Sequence, residues 1–284
     1  MSVNSNKNPP SERRFHLYGV GTPKSGTTSL SSLLGSPVRS AHEPEHFPTS
    51  DLLQRWQARL INDEELLETL RERDQRLDLE VEASHLLSDF TPQLVRAFPE
   101  AKFILTIRDP FRWLNSILNS AMNARNPDGS YRTGWFETLF QPQLFKFSEE
   151  EEPLRERGLY PLAAYLSYCT RINHDVLAAV PEQRLLAIRT PDLGARAAEI
   201  ATFCGIAATD LDPSRSHKNP TQVKHGIVGL LSPDFARSAF EQHTADLNSR
   251  FYPELSFDSV DWSEKSPNWR IQVEKLARQI EHDA

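Results

Sequence analysis

Phe15-His16-Leu17-Tyr18-Gly19-Val20 runs directly into Gly21-Thr22-Pro23-Lys24-Ser25-Gly26-Thr27-Thr28. The first block is an apolar stretch that reads as a strand. Beyond the second block, Leu30, Leu33 and Leu34 recur at i, i+3 and i+4, and Gly35 with Pro37 ends the segment, so the whole reads as strand, glycine loop and short helix. Gly21 to Gly26 has the G-x-x-x-x-G spacing of a P-loop, with Thr28 at its Ser/Thr position. Such a loop turns backbone N–H groups inward and leads into a helix start whose partial positive charge favours a phosphate or sulfate. The residue after the second glycine, where a nucleoside triphosphatase carries lysine, is Thr27, and the lysine lies inside the loop as Lys24. On spacing alone a tight structural turn is an equal alternative.

Outward from this unit, helical periodicity spans Leu52 to Leu70 and strand alternation Leu77 to Val81. A helix is expected from about Ser88 to Phe98, followed by the strand Lys102–Ile107. Asp109 suits a helix N-cap and Pro110 the first helical position, opening a helix with Trp113, Leu114, Ile117 and Leu118 on its apolar face. The pattern breaks from Met122 to Gly158, where Asn126-Pro127-Asp128-Gly129 is turn chemistry, aromatic residues crowd Trp135 to Phe147, and Glu149 to Glu152 read as a solvated loop. A helix over Tyr160–Val180, a strand over Arg184–Ile188 and a helix over Asp192–Cys204 complete the alternation, which implies a parallel sheet covered on both faces.

The 284 residues are compatible by length with one domain or two, and the motif order favours one. The expected organisation is a disordered leader over 1–14 and a single α/β domain over 15–284, P-loop nucleotide-kinase-like, with a central parallel sheet flanked by helices. Residues 122–158 form an insertion or lid, and 226–284 a helical C-terminal part. The net charge of -7 argues against nucleic acid or an acidic membrane as partner, so an anion must be held by a local site. Cys169 and Cys204 have no metal-ligand spacing and are expected as buried free thiols. With a polar start, Met1 to Arg14, and no apolar run of membrane-spanning length, a cytoplasmic protein is expected.

Pro23-Lys24-Ser25-Gly26-Thr27-Thr28 resembles the 5′-phosphosulfate loop, P-K-[SG]-G-T-[TS], of the sulfotransferases that use 3′-phosphoadenosine 5′-phosphosulfate (PAPS), and Arg108 to Ser116 resembles their second element, R-x7-S. The resemblance implies PAPS as co-substrate, with Pro23, Lys24, Ser25, Gly26, Thr27 and Thr28 around the 5′-phosphosulfate and Arg108 and Ser116 at the 3′-phosphate. Arg112 shares the Ser116 helix face but reads as an exposed charge, since the motif does not require it. Weaker similarity lies in Ile188 to Leu193, in Phe203-Cys204-Gly205, and in Ser216-His217-Lys218-Asn219-Pro220, where Lys218 is placed in a basic loop over the nucleotide.

Sulfuryl transfer moves a group of lower charge than phosphoryl transfer, and no metal is expected. Lys24 would balance charge on the bridging oxygen. His42-Glu43-Pro44-Glu45-His46-Phe47 resembles the family segment K-E-P-x-F-F, which assigns the general base to Glu43. His46 stands as the alternative, because histidine serves elsewhere in the family and its ordinary pKa of about 6.5 suits the work. Glu45 reads as an exposed loop residue. Glu82-Ala83-Ser84-His85 resembles a segment that lines the acceptor site, placing Ser84 and His85 near the substrate. The acceptor is expected to be a small-molecule or carbohydrate hydroxyl. A P-loop kinase or triphosphatase and a non-catalytic nucleotide-binding protein are the competing readings, the former disfavoured by Thr27.

Overall fold

The structure is a computed structural model and describes residues 13–34, 38–124, 135–216 and 223–266. In chain order the elements are β1 Leu17–Val20, α1 Thr27–Leu33, β2 Ser40–His42, α2 His46–Gln57, α3 Asp63–Leu77, β3 Val81–Ala83, α4 Thr91–Ala97, β4 Lys102–Ile107 and α5 Pro110–Asn123. They continue with α6 Trp135–Phe140, α7 Glu152–Arg155, α8 Leu162–Ala179, β5 Leu185–Arg189, α9 Ala197–Cys204 and α10 Pro233–Phe251. The five strands form one parallel sheet in the order β2-β3-β1-β4-β5. This is the single α/β domain with a helix-flanked parallel sheet that the sequence implies.

The period-2 geometry of a strand divides the core. Phe103, Leu105 and Ile107 of β4 point into the larger apolar cluster, with Trp113, Ile117, Tyr165 and Phe240. Ile104 points the other way, into a smaller cluster with Leu30, Leu33, Ile188 and Ile200. Both faces are thereby covered, and α5 behaves as read: Asp109 accepts the Arg112 N–H at 2.8 Å, and Trp113, Leu114, Ile117 and Leu118 are fully buried. The two cysteines are free and buried, and burial pushes the Cys204 thiol up to about 12.

Several local expectations are corrected. The periodic stretch from Leu52 to Leu70 is two helices, separated where Asn62 caps α3 by accepting from the N–H groups of Glu64 and Glu65. Leu77 to Val81 is not a strand: α3 runs to Leu77, Asp78 turns left-handed at φ 45°, and pairing begins only at Val81. The expected helix over Asp192–Cys204 begins at Ala197. The acidic run is not wholly solvated, because Glu151 is buried and accepts the N–H groups of Ser148 and Leu162 at 2.9 and 2.7 Å. In the aromatic stretch, Phe136 and Phe140 are core residues.

Arg13 and Arg14, assigned by sequence to the leader, are already fastened to the domain, Arg13 to Asp74 at 2.9 Å and Arg14 to Glu80. Glu80 is buried and receives Arg14 Nε and Nη2 at 2.7 and 2.8 Å and the Arg39 N–H at 2.9 Å. The Arg14 guanidinium holds its carboxyl down at about 2, against an ordinary 4.5. A carboxyl depressed by folding adds stability above its unfolded pKa and loses it as pH falls through the folded value. Urea unfolding between pH 5 and 2 should therefore show a fall in stability that Glu80→Gln, less stable near neutrality, lacks.

Candidate active site

The P-loop-like segment is shaped by its own sequence and gripped from outside. Ser25 N–H donates to Thr22 O at 3.1 Å, closing a turn with Pro23 at its second position and Lys24, at φ 67°, at its third. That is the sequence logic of a type II turn, except that the left-handed third position ordinarily belongs to glycine. A side chain there costs about 1–2 kcal/mol. Gly26 follows at φ 109°, and a Cβ on Gly21 would lie 2.5 Å from Thr106 O, so neither glycine is replaceable.

Three successive loop carbonyls each accept from a side chain distant in sequence, one in α5, one just after β4 and one just after β5. Trp113 Nε1 donates to Pro23 O at 2.7 Å, Arg108 Nη1 to Lys24 O at 3.1 Å, and the Thr190 hydroxyl to Ser25 O. Ser25 Oγ pairs with Thr106 Oγ1 at 2.9 Å beneath the loop. With these carbonyls occupied elsewhere, the loop can present its N–H groups to an anion.

Lys24, Gly26, Thr27, Thr28, Arg108 and Ser116 line one cleft of about 770 Å³. It opens at the C-terminal edge of the sheet, where open α/β folds bind ligands. Burial, and then the neighbouring Arg108, lower the Lys24 ammonium's pKa, and burial lowers that of Arg108. Pro23 and Ser25 shape the loop and are absent from the lining. Arg112 is 45% exposed and ion-paired to Asp109 at 3.6 Å, yet it also lines the cleft. Lys218 lies outside the described residues. The sequence reading did not single out Arg189, Thr190 or Lys224 for this wall, although Arg189 ends β5 and Thr190 directly follows it, where the edge rule could have found them.

The second half of the site is centred on Glu43. Parallel pairing places His42 level with Ala83, so the residues beyond both strands, Glu43 on one side and Ser84 and His85 on the other, emerge together. The Glu43 N–H donates to Ala83 O at 3.1 Å, and its backbone takes φ 50°, the same uncommon region as Lys24. The loop is fixed from below by Glu45. It is not an exposed loop residue, because it pairs with Arg73 at 3.2 Å and Arg76 at 2.9 Å.

Three imidazoles surround the Glu43 carboxylate. His46 Nδ1–H donates to Oε2 at 3.0 Å, His85 Nδ1–H donates to Oε1, and His42 Nε2 lies 3.4 Å from Oε1. Burial opposes ionisation of Glu43, but His85 and the other two rings together hold its carboxyl far below the usual carboxylate range. His46 is the more open of the two Nδ1 donors, with 22% of its side chain exposed against 6% for His85. His85 Nε2 is buried with no hydrogen-bond partner among the described residues. Trp135 lies against this group, tilted 5.1 Å from His85 and edge-on 5.8 Å from His46, and Phe47 lies 5.4 Å from His46 and is 70% exposed. Ser84 is buried, and Ser84, Glu43, His46 and His85 all lie outside the lining of the cleft that holds Lys24 and Arg108.

His42 joins the two halves. Its Nε2 is 3.1 Å from both Thr27 Oγ1 and Thr28 Oγ1. In the sequence it stands only at the lysine position of the K-E-P-x-F-F resemblance, with no role assigned. Among the described residues no group of three or more histidine, cysteine or acidic side chains is arranged to hold a metal ion, and no helix is long and apolar enough to cross a membrane.

The profile of a protein family described as "Sulfotransferase domain" matches residues 17–210. Among solved structures, the chain is similar to a sulfotransferase from Alicyclobacillus acidocaldarius, at 16% identity and TM-score 0.47, over 88% of this chain and 99% of that one. It is also similar to the sulfotransferase domain of the Synechococcus PCC 7002 olefin synthase, at 12% identity and TM-score 0.40, over 96% and 97%. A third similar structure is the sulfotransferase domain from the curacin biosynthetic pathway, at 11% identity and TM-score 0.41, over 94% and 97%. No curated protein sequence matches the chain.

Proposed function

The chain belongs to the sulfotransferase domain family, and on that premise we propose that it transfers the sulfuryl group of PAPS to a hydroxyl of a small-molecule or carbohydrate acceptor. The observation that carries this reading is the direct adjoining, through His42, of an anion-cradling loop and an ionised Glu43–histidine cluster. The donor supplies the sulfuryl group and a phosphate leaving group. Loop N–H groups, Thr27 and Thr28 would hold its 5′-phosphate, and Arg108 and Ser116 its 3′-phosphate. Lys24 would offset charge on the bridging oxygen as it departs.

A carboxylate held far below its ordinary pKa is a poor proton acceptor. We therefore place the base on His46, with Glu43 fixing its tautomer: because Nδ1 carries the proton given to Glu43, Nε2 is left with the lone pair. The acceptor proton passes to Nε2, the acceptor oxygen bonds to sulfur, and the sulfur–phosphate oxygen bond breaks beside Lys24. His85 Nε2, buried and without a partner among the described residues, is where we place a polar group of the acceptor.

Calorimetry with 3′-phosphoadenosine 5′-phosphate should give saturable binding. Lys24→Ala and Arg108→Ala should each weaken it about 10- to 100-fold, as expected for a charged hydrogen bond worth roughly 1.5–3 kcal/mol. Absence of binding to the intact protein would overturn the donor assignment.

A further inference from the structure

His42 occupies an unusual position for a titratable ring. A single nitrogen, Nε2, lies within hydrogen-bond distance of two hydroxyls, Thr27 Oγ1 and Thr28 Oγ1. Both hydroxyls belong to the residues that border the donor cleft. The groups facing the ring are Glu43 on its own strand end, His85 beyond β3, His46 on α2 and these neutral hydroxyls on α1. Burial is the main influence on the ring and lowers its pKa, against the opposing pull of Glu43.

Hydrogen counting then constrains the loop. Each threonine hydroxyl has one hydrogen and can either give it to His42 Nε2 or point it at a phosphate oxygen. When both hydroxyls serve the phosphate, they can only accept from His42, which requires a proton on Nε2. The arriving phosphate and Glu43 both favour the charged ring at that moment.

We propose that His42 is a positioning residue that couples occupation of the donor loop to proton uptake: donor binding turns Thr27 and Thr28 toward the phosphate, and Nε2 changes from hydrogen-bond acceptor to donor as the ring takes a proton from solvent. The inference rests on the loop being the PAPS site. Its consequence is that donor affinity rises as pH falls, by up to about tenfold per unit where one proton is fully coupled.

The test is calorimetry of 3′-phosphoadenosine 5′-phosphate binding at pH 7.5 in buffers of different ionisation enthalpy. Wild type should take up more protons than His42→Gln, by roughly half to one proton per nucleotide, because the amide keeps a hydrogen-bonding group but does not titrate. The protons of the nucleotide's own phosphates cancel in this comparison. His42→Lys, cationic before binding, should bind with the extra uptake absent and a flatter pH dependence, and it serves equally if the glutamine variant does not fold. In steady state, His42→Gln should raise the donor KM more than it lowers kcat. Equal proton uptake by wild type and a binding-competent variant overturns the proposal, as would a switch of neutral tautomer without uptake. Failure of wild type to bind the nucleotide at all is a different result, which removes the donor assignment itself.

Discussion

Glu43→Gln, by removing the carboxylate that fixes the tautomer of the His46 base, should lower kcat by about 10²- to 10⁴-fold, the range for loss of general-base catalysis, with little change in the affinity for 3′-phosphoadenosine 5′-phosphate. The amide is nearly isosteric, but it cannot accept from both His46 and His85, because its N–H₂ must face one of the two N–H donors. His46→Ala should be similarly impaired. The pH profile separates the two roles: a base that was Glu43 itself, with its carboxyl depressed by the surrounding rings, would leave the rate flat through the acid range. An imidazole base, which must shed its proton before it can act, gives an acid limb that such a carboxylate would not. Turnover by Glu43→Gln near the wild-type rate would sink the assignment.

The second large effect belongs to Trp113. It is fully buried in the main core, and its indole N–H is given to Pro23 O at 2.7 Å. Trp113→Ala should cost about 3–5 kcal/mol from the cavity alone, lowering Tm by on the order of 10 °C. Trp113→Phe retains most of the ring and isolates the hydrogen bond. Its stability loss should be smaller, about 1–3 kcal/mol for a carbonyl left unpartnered, while its nucleotide affinity falls. Unchanged affinity in a stable Trp113→Phe protein would show that the indole supports the core and not the loop.

How far the fold could be read from sequence depended on element length and burial. β1, the loop and α1 were legible because an apolar strand, fixed glycine spacing and an apolar i, i+3, i+4 pattern coincide there. β4 and α5 were legible because Asp109 and Pro110 mark the helix start. β2 escaped notice: its three residues are half-buried, and such a short edge strand carries no alternation to detect. Leu77 to Val81 misled for the opposite reason, since alternating apolar residues at a helix end imitate a strand.

At the candidate site, motif residues such as Lys24, Arg108 and Ser116 could be singled out from sequence because their segments resemble the family's motifs. His42 and the convergence of three rings on Glu43 could not, because both depend on the register of β2 against β3, which aligns His42 with Ala83 across a long sequence separation. Arg189 and Thr190, at the end of a strand the sequence does show, were within reach of the edge rule, but the pairing of β5 with β4 is what delivers them beside the loop.

The three side chains that grip the loop carbonyls lie 90, 84 and 165 positions along the chain from their acceptors. The cradle therefore cannot be assembled by its own segment. It requires that β1, β4 and the turn after β5 have already come together, a set of distant contacts whose loop-closure entropy makes them late in folding. A chain still lacking β5 has no grip on Ser25 O. A nucleotide bound to the loop would accordingly act on the finished domain: it slows unfolding and leaves the folding rate nearly unchanged.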